Sequence, residues 1–382
     1  MVNRRRIMNK YIESLFIGIC EKLQLSTTLY DQAVKRYNII ANIINEDEIF
    51  EKNNLSIYPQ GSFRLKTTVK PLINDEYDLD FVAELPINSV MSPQNLYDHI
   101  VRILSNDGIH NDMIEKKNRC VRVNYANDFH IDIMPGKLVN ADTHEIIVPD
   151  RKLSEWGHKS NPIGFADWFE KQAKTHIEFE LNRMIRDQCD IEKVTEQEIA
   201  KHLEPLRRAV QLVKRYRDIY CDVNNAEPVR SIVICTLMGQ ITKFTGDTLQ
   251  IIETFCQYVN GLIVNANGKP FTVKNPVVNE VLTEKWDEGN NYQDFVSMIQ
   301  SLTKDIKLLR SYSYNTDINK ITKKMFGETV TNAVLMEFAK EMNHARQDST
   351  LFVTSTGVLS LSNSEIPVKK NTFYGEENKV NE

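Results

Sequence analysis

This chain lacks the features of a secreted, fibrous or membrane-spanning protein. Its six cysteines, Cys20, Cys120, Cys189, Cys221, Cys235 and Cys256, form no C-x-x-C pair. That spacing fits reduced, mostly buried thiols better than a disulfide frame or a zinc ribbon. Glycine and proline are scarce, at 14 and 12 residues of 382, which argues against collagen-like and disordered chains. No run approaches the roughly 18 uninterrupted apolar residues of a membrane-spanning helix. The opening Met1-Val-Asn-Arg-Arg-Arg also lacks the apolar core of a signal peptide, so a cytoplasmic protein with no membrane partner is expected. A basic excess is missing too: 47 Lys and Arg against 52 Asp and Glu leave a net charge of -5. A protein built to coat nucleic acid usually shows the opposite balance, although a local basic cleft stays compatible with it.

What the chain does have is length and two contrasting halves. At 382 residues it exceeds the roughly 250–300 residues at which one hydrophobic core stops growing, so at least two domains are expected. Helical spacing of Ile12, Leu15, Phe16 and Ile19, then of Tyr37, Ile40, Ala41 and Ile44, predicts two N-terminal helices broken near Ser26-Thr27-Thr28. Strand-like runs follow at Leu55–Tyr58, Tyr77–Glu84, Cys120–Tyr125 and Phe129–Met134, with a helix over Pro93–Leu104 and a tight connection at Ala126-Asn127-Asp128. Beyond Asn161-Pro162 helical periodicity dominates, over Phe165–Arg186, Thr195–Tyr220 and onward to Met342. These patterns predict a mixed α+β fold: a first domain over 1–160 carrying the N-terminal helices, a mainly helical domain over 161–374, and a mobile tail over 375–382.

The chemistry concentrates in Tyr58-Pro-Gln-Gly-Ser-Phe-Arg-Leu-Lys-Thr-Thr and in Glu76-Tyr-Asp-Leu-Asp-Phe-Val. Residues two apart on a strand share a face, so Asp78 and Asp80 project together while Tyr77, Leu79 and Phe81 pack behind them. Two ionised carboxylates that close require a cation, and hard oxygen ligands suit Mg²⁺ or Mn²⁺. An Asp-x-Asp pair alone is also what an ordinary exposed strand carries. A second strand, Phe129-His-Ile-Asp-Ile-Met-Pro-Gly, places Asp132 between Ile131 and Ile133. If it neighbours the first, Asp132 becomes a third carboxylate, enough for two metal ions typically about 3.5–4 Å apart. Gly61 permits a sharp turn, and Ser62 is expected to open a helix over Phe63–Val69 whose free N–H groups attract phosphate.

Gly-Ser, then Asp-x-Asp seventeen residues after the Gly, then an isolated Asp about fifty residues later together resemble the DNA polymerase β-like nucleotidyltransferase superfamily. Gln60-Gly-Ser-Phe-Arg-Leu-Lys-Thr-Thr, Glu76-Tyr-Asp-Leu-Asp and His130-Ile-Asp-Ile-Met-Pro-Gly are similar to the bacterial cGAS/DncV-like nucleotidyltransferases (CD-NTases, SMODS-type) of CBASS anti-phage systems. The similarity extends through Ser160-Asn-Pro-Ile-Gly-Phe-Ala-Asp-Trp-Phe, the helix from Leu206, Pro228-Val-Arg-Ser-Ile and Lys274-Asn-Pro-Val with Trp286, covering about residues 10–300.

The resemblance implies a polymerase β-like core with a small mixed sheet, an OAS-like helical domain, and an active-site cleft between them. It implies that Asp78, Asp80 and Asp132 bind two Mg²⁺ ions, with Mn²⁺ as a substitute. Gln60, Gly61, Ser62, Lys214 and Ser231 then bind the donor nucleotide, Lys214 and Ser231 at its outer phosphates. The implied substrates are NTPs, ATP among them, and the product is a cyclic di- or trinucleotide messenger read by a downstream effector, with a regulatory protein partner as a further expectation. Arg207, Arg208 and Arg215 stay open between a solvated helix face and the site. No zinc insertion or broad basic block appears, so a platform for long double-stranded DNA is not expected. The acidic ending at Glu382 is unlike that of relatives conjugated through a C-terminal Gly or Ala. An RNA-tailing or protein nucleotidyltransferase would use the same three carboxylates, whereas an inactive scaffold member would need none of them.

Overall fold

The computed structural model describes residues 2–52, 54–72, 77–125, 129–152, 155–174, 203–241, 247–312, 314–353, 359–360 and 366–368. The expected connection at 126–128, the helical stretch across 175–202 and the tail over 375–382 lie outside the described residues.

Helices α1 (Val2–Leu23), α2 (Thr27–Asn45) and the short α3 (Glu48–Lys52) open the chain, and Ser26 caps α2 by accepting the Leu29 N–H at 3.2 Å. Strand β1 (Ser56–Pro59), a single helical turn α4 (Gly61–Arg64) and β2 (Tyr77–Leu85) follow. Next come α5 (Pro93–Asn106), β3 (Ile114–Lys116), β4 (Val121–Tyr125) and β5 (Phe129–Asn140), then β6 (Glu145–Asp150) and β7 (Glu155–Ser160). They build one seven-stranded mixed sheet in the order β1-β2-β5-β4-β3, with β6 paired to the far end of β5 and β7 to β6. Among the described residues the only parallel pair in this sheet is β2 with β5, which sets Asp80 directly opposite Asp132.

Alternation on β2 and β5 explains that register. Tyr77, Leu79, Phe81, Phe129, Ile131 and Ile133 all point into one apolar core shared with α2 and α5, among them Tyr37, Ile40, Leu96, Tyr97 and Ile100. A slip of one residue would drive the aspartates into that core, so the hydrophobic face dictates where the carboxylates stand.

The second half comprises α6 (Pro162–Ala173), α7 (Pro205–Asn224), α8 (Ser231–Gly239), α9 (Thr248–Asn265), α10 (Asn291–Ser311), α11 (Asn315–Phe326) and α12 (Glu328–Gln347). Its core contains Phe169, Val210, Val213, Phe255, Phe295 and Phe326, and also Ile12, Leu15, Phe16 and Ile19 of α1. The N-terminal helices divide between the two cores. Although α1 precedes the sheet in sequence, its apolar stripe is buried in the helical core, whereas α2 and Phe50 of α3 pack on the sheet. Helix α1, running into α2, thus ties the two halves together.

Two expectations change. The predicted helix over Phe63–Val69 ends at Arg64, because Lys66 takes a left-handed backbone (φ 54°) and the β-branched Thr67, Thr68 and Val69 favour extended structure. The hairpin β6–β7 went unread: its residues include Pro149, Gly157 and several charges, which hide the period of two.

Candidate active site

Gly61 joins β1 to β2 at close quarters. Its backbone has φ +60°, and a Cβ there would stand 2.3 Å from the Asp80 carboxylate oxygen Oδ2. Any side chain would therefore face both backbone strain and a collision with an acidic group. The neighbouring Gln60 N–H donates to the Asp80 carbonyl at 2.8 Å, locking the turn onto the strand that bears Asp78 and Asp80. Because α4 is one turn long, it offers no helix dipole of consequence; Ser62 contributes a hydroxyl and local N–H groups at the cleft wall instead.

Three carboxylates meet on the polar face of β2 and β5. Burial pushes the Asp80 carboxyl up to about 7; the neighbouring Asp132 and Asp78 carboxylates add to that rise, while Arg122 and Lys214 oppose it. Arg122 on β4 lies opposite Asp132 in the antiparallel register. Its Nε and Nη2 donate to the two Asp132 oxygens at 2.7 and 2.8 Å, and Nη2 also donates to Asp78 Oδ1 at 3.2 Å. With both Asp132 oxygens turned to Arg122, no three acidic, His or Cys side chains form a closed cage among the described residues. The donor chemistry nonetheless fits a divalent cation. Hard oxygens on adjacent strands and a desolvated carboxylate in need of positive charge are what Mg²⁺ or Mn²⁺ takes.

A cleft of about 790 Å³ opens beside them, lined by Gln60, Gly61, Ser62, Asp78 and Asp80 on the strand side and by Lys214, Arg217, Arg230 and Ser231 on the helical side. The structure thus brings together seven of the eight residues singled out from the sequence, and Asp132 joins them through its strand pairing with Asp80 rather than as cleft lining. Lys214 is buried and donates to the Thr67 carbonyl at 3.0 Å and to its Oγ1 at 3.3 Å. Burial lowers its ammonium pKa.

The same face of α7 grips the loop after the Gly-Ser turn carbonyl by carbonyl. Arg207 donates to Leu65 O, Gln211 to Thr68 O at 3.1 Å, and Arg215 to Lys70 O at 3.2 Å. Arg207 also pairs with Glu204 at 2.7 Å and Glu170 at 2.6 Å, and Arg208 with Glu13 at 3.0 Å. Arg207, Arg208 and Arg215, left open by the sequence, are therefore buried braces rather than a solvated basic face.

Three basic residues were missed: Arg217 and Arg230 in the cleft lining, and Arg122 beside the carboxylates. Arg217 donates to Ser231 Oγ at 3.0 Å and to the Val229 carbonyl at 2.9 Å. Its three-residue spacing from Lys214, which puts both on one side of the helix, was the available signal. Arg122 was invisible because its partner stands ten residues away on another strand.

Residues 11–173 match the Second Messenger Oligonucleotide or Dinucleotide Synthetase (SMODS) domain. A curated c-di-GMP synthase of Roseivirga ehrenbergii is 32% identical over 96% of this chain and 97% of its own length. The chain belongs to the CD-NTase family. Among solved structures, the Bradyrhizobium diazoefficiens CD-NTase CdnG in complex with GTP superposes with a TM-score of 0.68 at 20% identity, covering 86% of this chain and 99% of that one. Escherichia coli CdnC, solved in a complex with HORMA-deltaN, reaches 0.58 at 12% identity over 80% of this chain and 93% of that one. This CD-NTase is accordingly a nucleotidyltransferase that makes cyclic oligonucleotides, on a mixed α+β fold shared with CdnG. The scaffold, RNA-tailing and protein-modifying alternatives fall away. No described helix is long and apolar enough to cross a membrane.

Proposed function

We propose that the cleft performs nucleotidyl transfer with Asp78, Asp80 and Asp132 as the ligands of two Mg²⁺ ions, replaceable by Mn²⁺, and that its product is a cyclic dinucleotide containing guanine. One observation carries the site assignment. Asp80 and Asp132 are register partners under a glycine that any side chain would make collide with Asp80, and this cluster faces hydroxyls and cations across the cleft.

Bound there, the metal would supply positive charge to the triphosphate and acidify an acceptor ribose hydroxyl. The chain's own residues orient the reactants. Gln60 and Gly61 shape the turn, Ser62 offers a hydroxyl to a donor phosphate, and Lys214 with Ser231 holds the outer phosphates from the opposite wall. Arg217, fixed on Ser231 Oγ, adds a cation at that wall. The acceptor oxygen bonds to the donor's α-phosphorus, the bond from that phosphorus to the bridging oxygen breaks, pyrophosphate departs, and the hydroxyl proton passes to solvent. Such positioning provides much of the catalysis in phosphoryl transfer. A second transfer between the ends of the linear intermediate closes the ring.

Guanine is favoured by the Roseivirga relative named c-di-GMP synthase and by two carboxylates in the cleft lining, Asp218 and Glu280. Guanine presents N–H donors at N1 and N2, which a carboxylate accepts as a pair. ATP is the second substrate to test. The setting we propose is anti-phage CBASS signalling in the cytoplasm, with the messenger read by an effector. The CdnC complex with a HORMA protein supports a regulatory protein partner here as well.

Incubation with each NTP and Mg²⁺, followed by phosphatase and mass spectrometry, tests the product. A phosphatase-resistant cyclic species containing guanine is expected from GTP alone or from GTP with ATP. Only phosphatase-sensitive linear products would refute cyclisation, and products without guanine would refute the base assignment.

A further inference from the structure

Arg122 carries an inference beyond the nucleotide cleft itself, and it rests on the reading of the three aspartates as metal ligands. On β4 the residues Val121, Val123 and Tyr125 are buried in the sheet core, whereas Arg122 lies on the opposite face, beside the carboxylates. Nothing in a strand of this pattern requires a charge at that position. The guanidinium nevertheless engages both oxygens of Asp132, at 2.7 and 2.8 Å, and reaches Asp78 at 3.2 Å. A fork of this kind fixes a carboxylate in both distance and plane, which a lysine's point charge would not do.

The two contacts differ in strength and setting. The Asp132 side chain is only 15% exposed and is held by two short bonds, while that of Asp78 is 64% exposed and held by one longer bond. The bridge to Asp78 is therefore the part that yields first. Asp78 also lines the cleft and Asp132 does not, so the releasable contact is the one an incoming nucleotide can reach.

We propose that Arg122 is a positioning residue that stands in for a cation in the nucleotide-free enzyme, holding Asp132 in its orientation and bridging it to Asp78 so that divalent metal binds weakly until nucleotide accompanies it. Free metal must compete with a guanidinium for the Asp132 oxygens and for one Asp78 oxygen. Metal arriving with a triphosphate brings phosphate oxygens as further ligands, in the way Mg²⁺ typically combines one or two carboxylates with substrate phosphates. The bridge to Asp78 then breaks, and the Arg122 grip keeps Asp132 aligned. The enzyme thereby loads metal and substrate together.

The test is Mn²⁺ binding by calorimetry to the full chain, with and without a nonhydrolysable GTP analogue, in wild type, Arg122→Gln and Arg122→Lys. Without nucleotide, Arg122→Gln is expected to bind Mn²⁺ about 10–100-fold more tightly than wild type, because the ion no longer competes with charge-assisted hydrogen bonds for the carboxylate oxygens. Arg122→Lys keeps the charge but loses the fork and should fall between them. Metal-free Arg122→Gln should also melt at a lower temperature than wild type, with Mn²⁺ restoring more of the loss. Should Arg122→Gln fail to fold, the Arg122→Lys comparison stands alone. Equal nucleotide-free Mn²⁺ affinity in variant and wild type, with normal binding in the presence of the analogue, overturns the role of Arg122 and leaves the metal site intact. If wild type takes up no Mn²⁺ even with the analogue, the metal-site reading fails and this inference fails with it.

Discussion

The two walls of the cleft solve opposite electrostatic problems. On the strand side three carboxylates crowd together with Arg122 as the near cation, and Asp80 remains hard to ionise. On the helical side Arg207, Gln211, Lys214 and Arg215 donate to backbone carbonyls of residues 65–70. One wall is left short of positive charge, as the proposed metal site requires. The other is braced, which fixes the loop that follows Ser62 against α7. Charged residues at and behind one cleft thus crowd carboxylates on one side and brace the backbone on the other.

That contrast can be broken at defined points. Asp80→Asn should lower product formation by on the order of 10³-fold or more, since it removes a proposed metal ligand, while the metal-free protein at pH 8 melts no lower than wild type. A turnover assay paired with a melting curve checks both, and retained activity would remove Asp80 from the site. Arg207→Met should do the reverse. Loss of about 3–5 kcal/mol of stability is expected, because Glu204 and the Leu65 carbonyl lose a buried partner. Urea unfolding measures it, and kcat should change less than stability at temperatures where the variant is folded.

Lys214→Met should combine the two kinds of loss: about 1–3 kcal/mol from the orphaned Thr67 carbonyl, and a fall in kcat/KM with most of the change in donor binding. The pH dependence sharpens the strand side. The folded Asp80 carboxyl titrates at about 7, above its unfolded value of roughly 3.9. Between those values the folded state therefore holds a proton that the unfolded state has released. Stability contributed by this group is full below about pH 4 and is lost as pH rises through 7. Melting temperatures of metal-free protein should decline across that window relative to Asp80→Asn, and Mg²⁺ with nucleotide should flatten the difference. The smallest effect is Ser231→Ala: about 1 kcal/mol in donor affinity, read as a several-fold rise in KM with kcat nearly unchanged.

Local sequence carried the strand wall almost completely. Alternation over Tyr77–Phe81 and Phe129–Ile133 orients Asp78, Asp80 and Asp132 whatever the rest of the chain does, because a period of two commits each side chain to a face. The helical wall was legible only in outline. Periodicity located α7, but whether Arg207 or Lys214 is a brace or a ligand depends on the carbonyls of residues 65–70, about 140 positions earlier in the chain. No window of sequence contains both. The helix expected over Phe63–Val69 stops early both because Lys66 takes a left-handed backbone and because the carbonyls of Leu65, Thr67 and Thr68 accept from α7 side chains rather than from backbone N–H groups of a continuing helix.

The sequence by itself determined the carboxylates, the glycine that permits a sharp turn, and the mixed α+β order of elements, since all of these follow from short-range sterics and hydrophobic alternation. Only the tertiary structure decided that α1 belongs to the helical core, that Arg122 lies across Asp132 and Asp78, and that Arg217 holds Ser231. Each of these is a contact between distant segments, and such contacts exist only once burial of the two cores has brought the segments together.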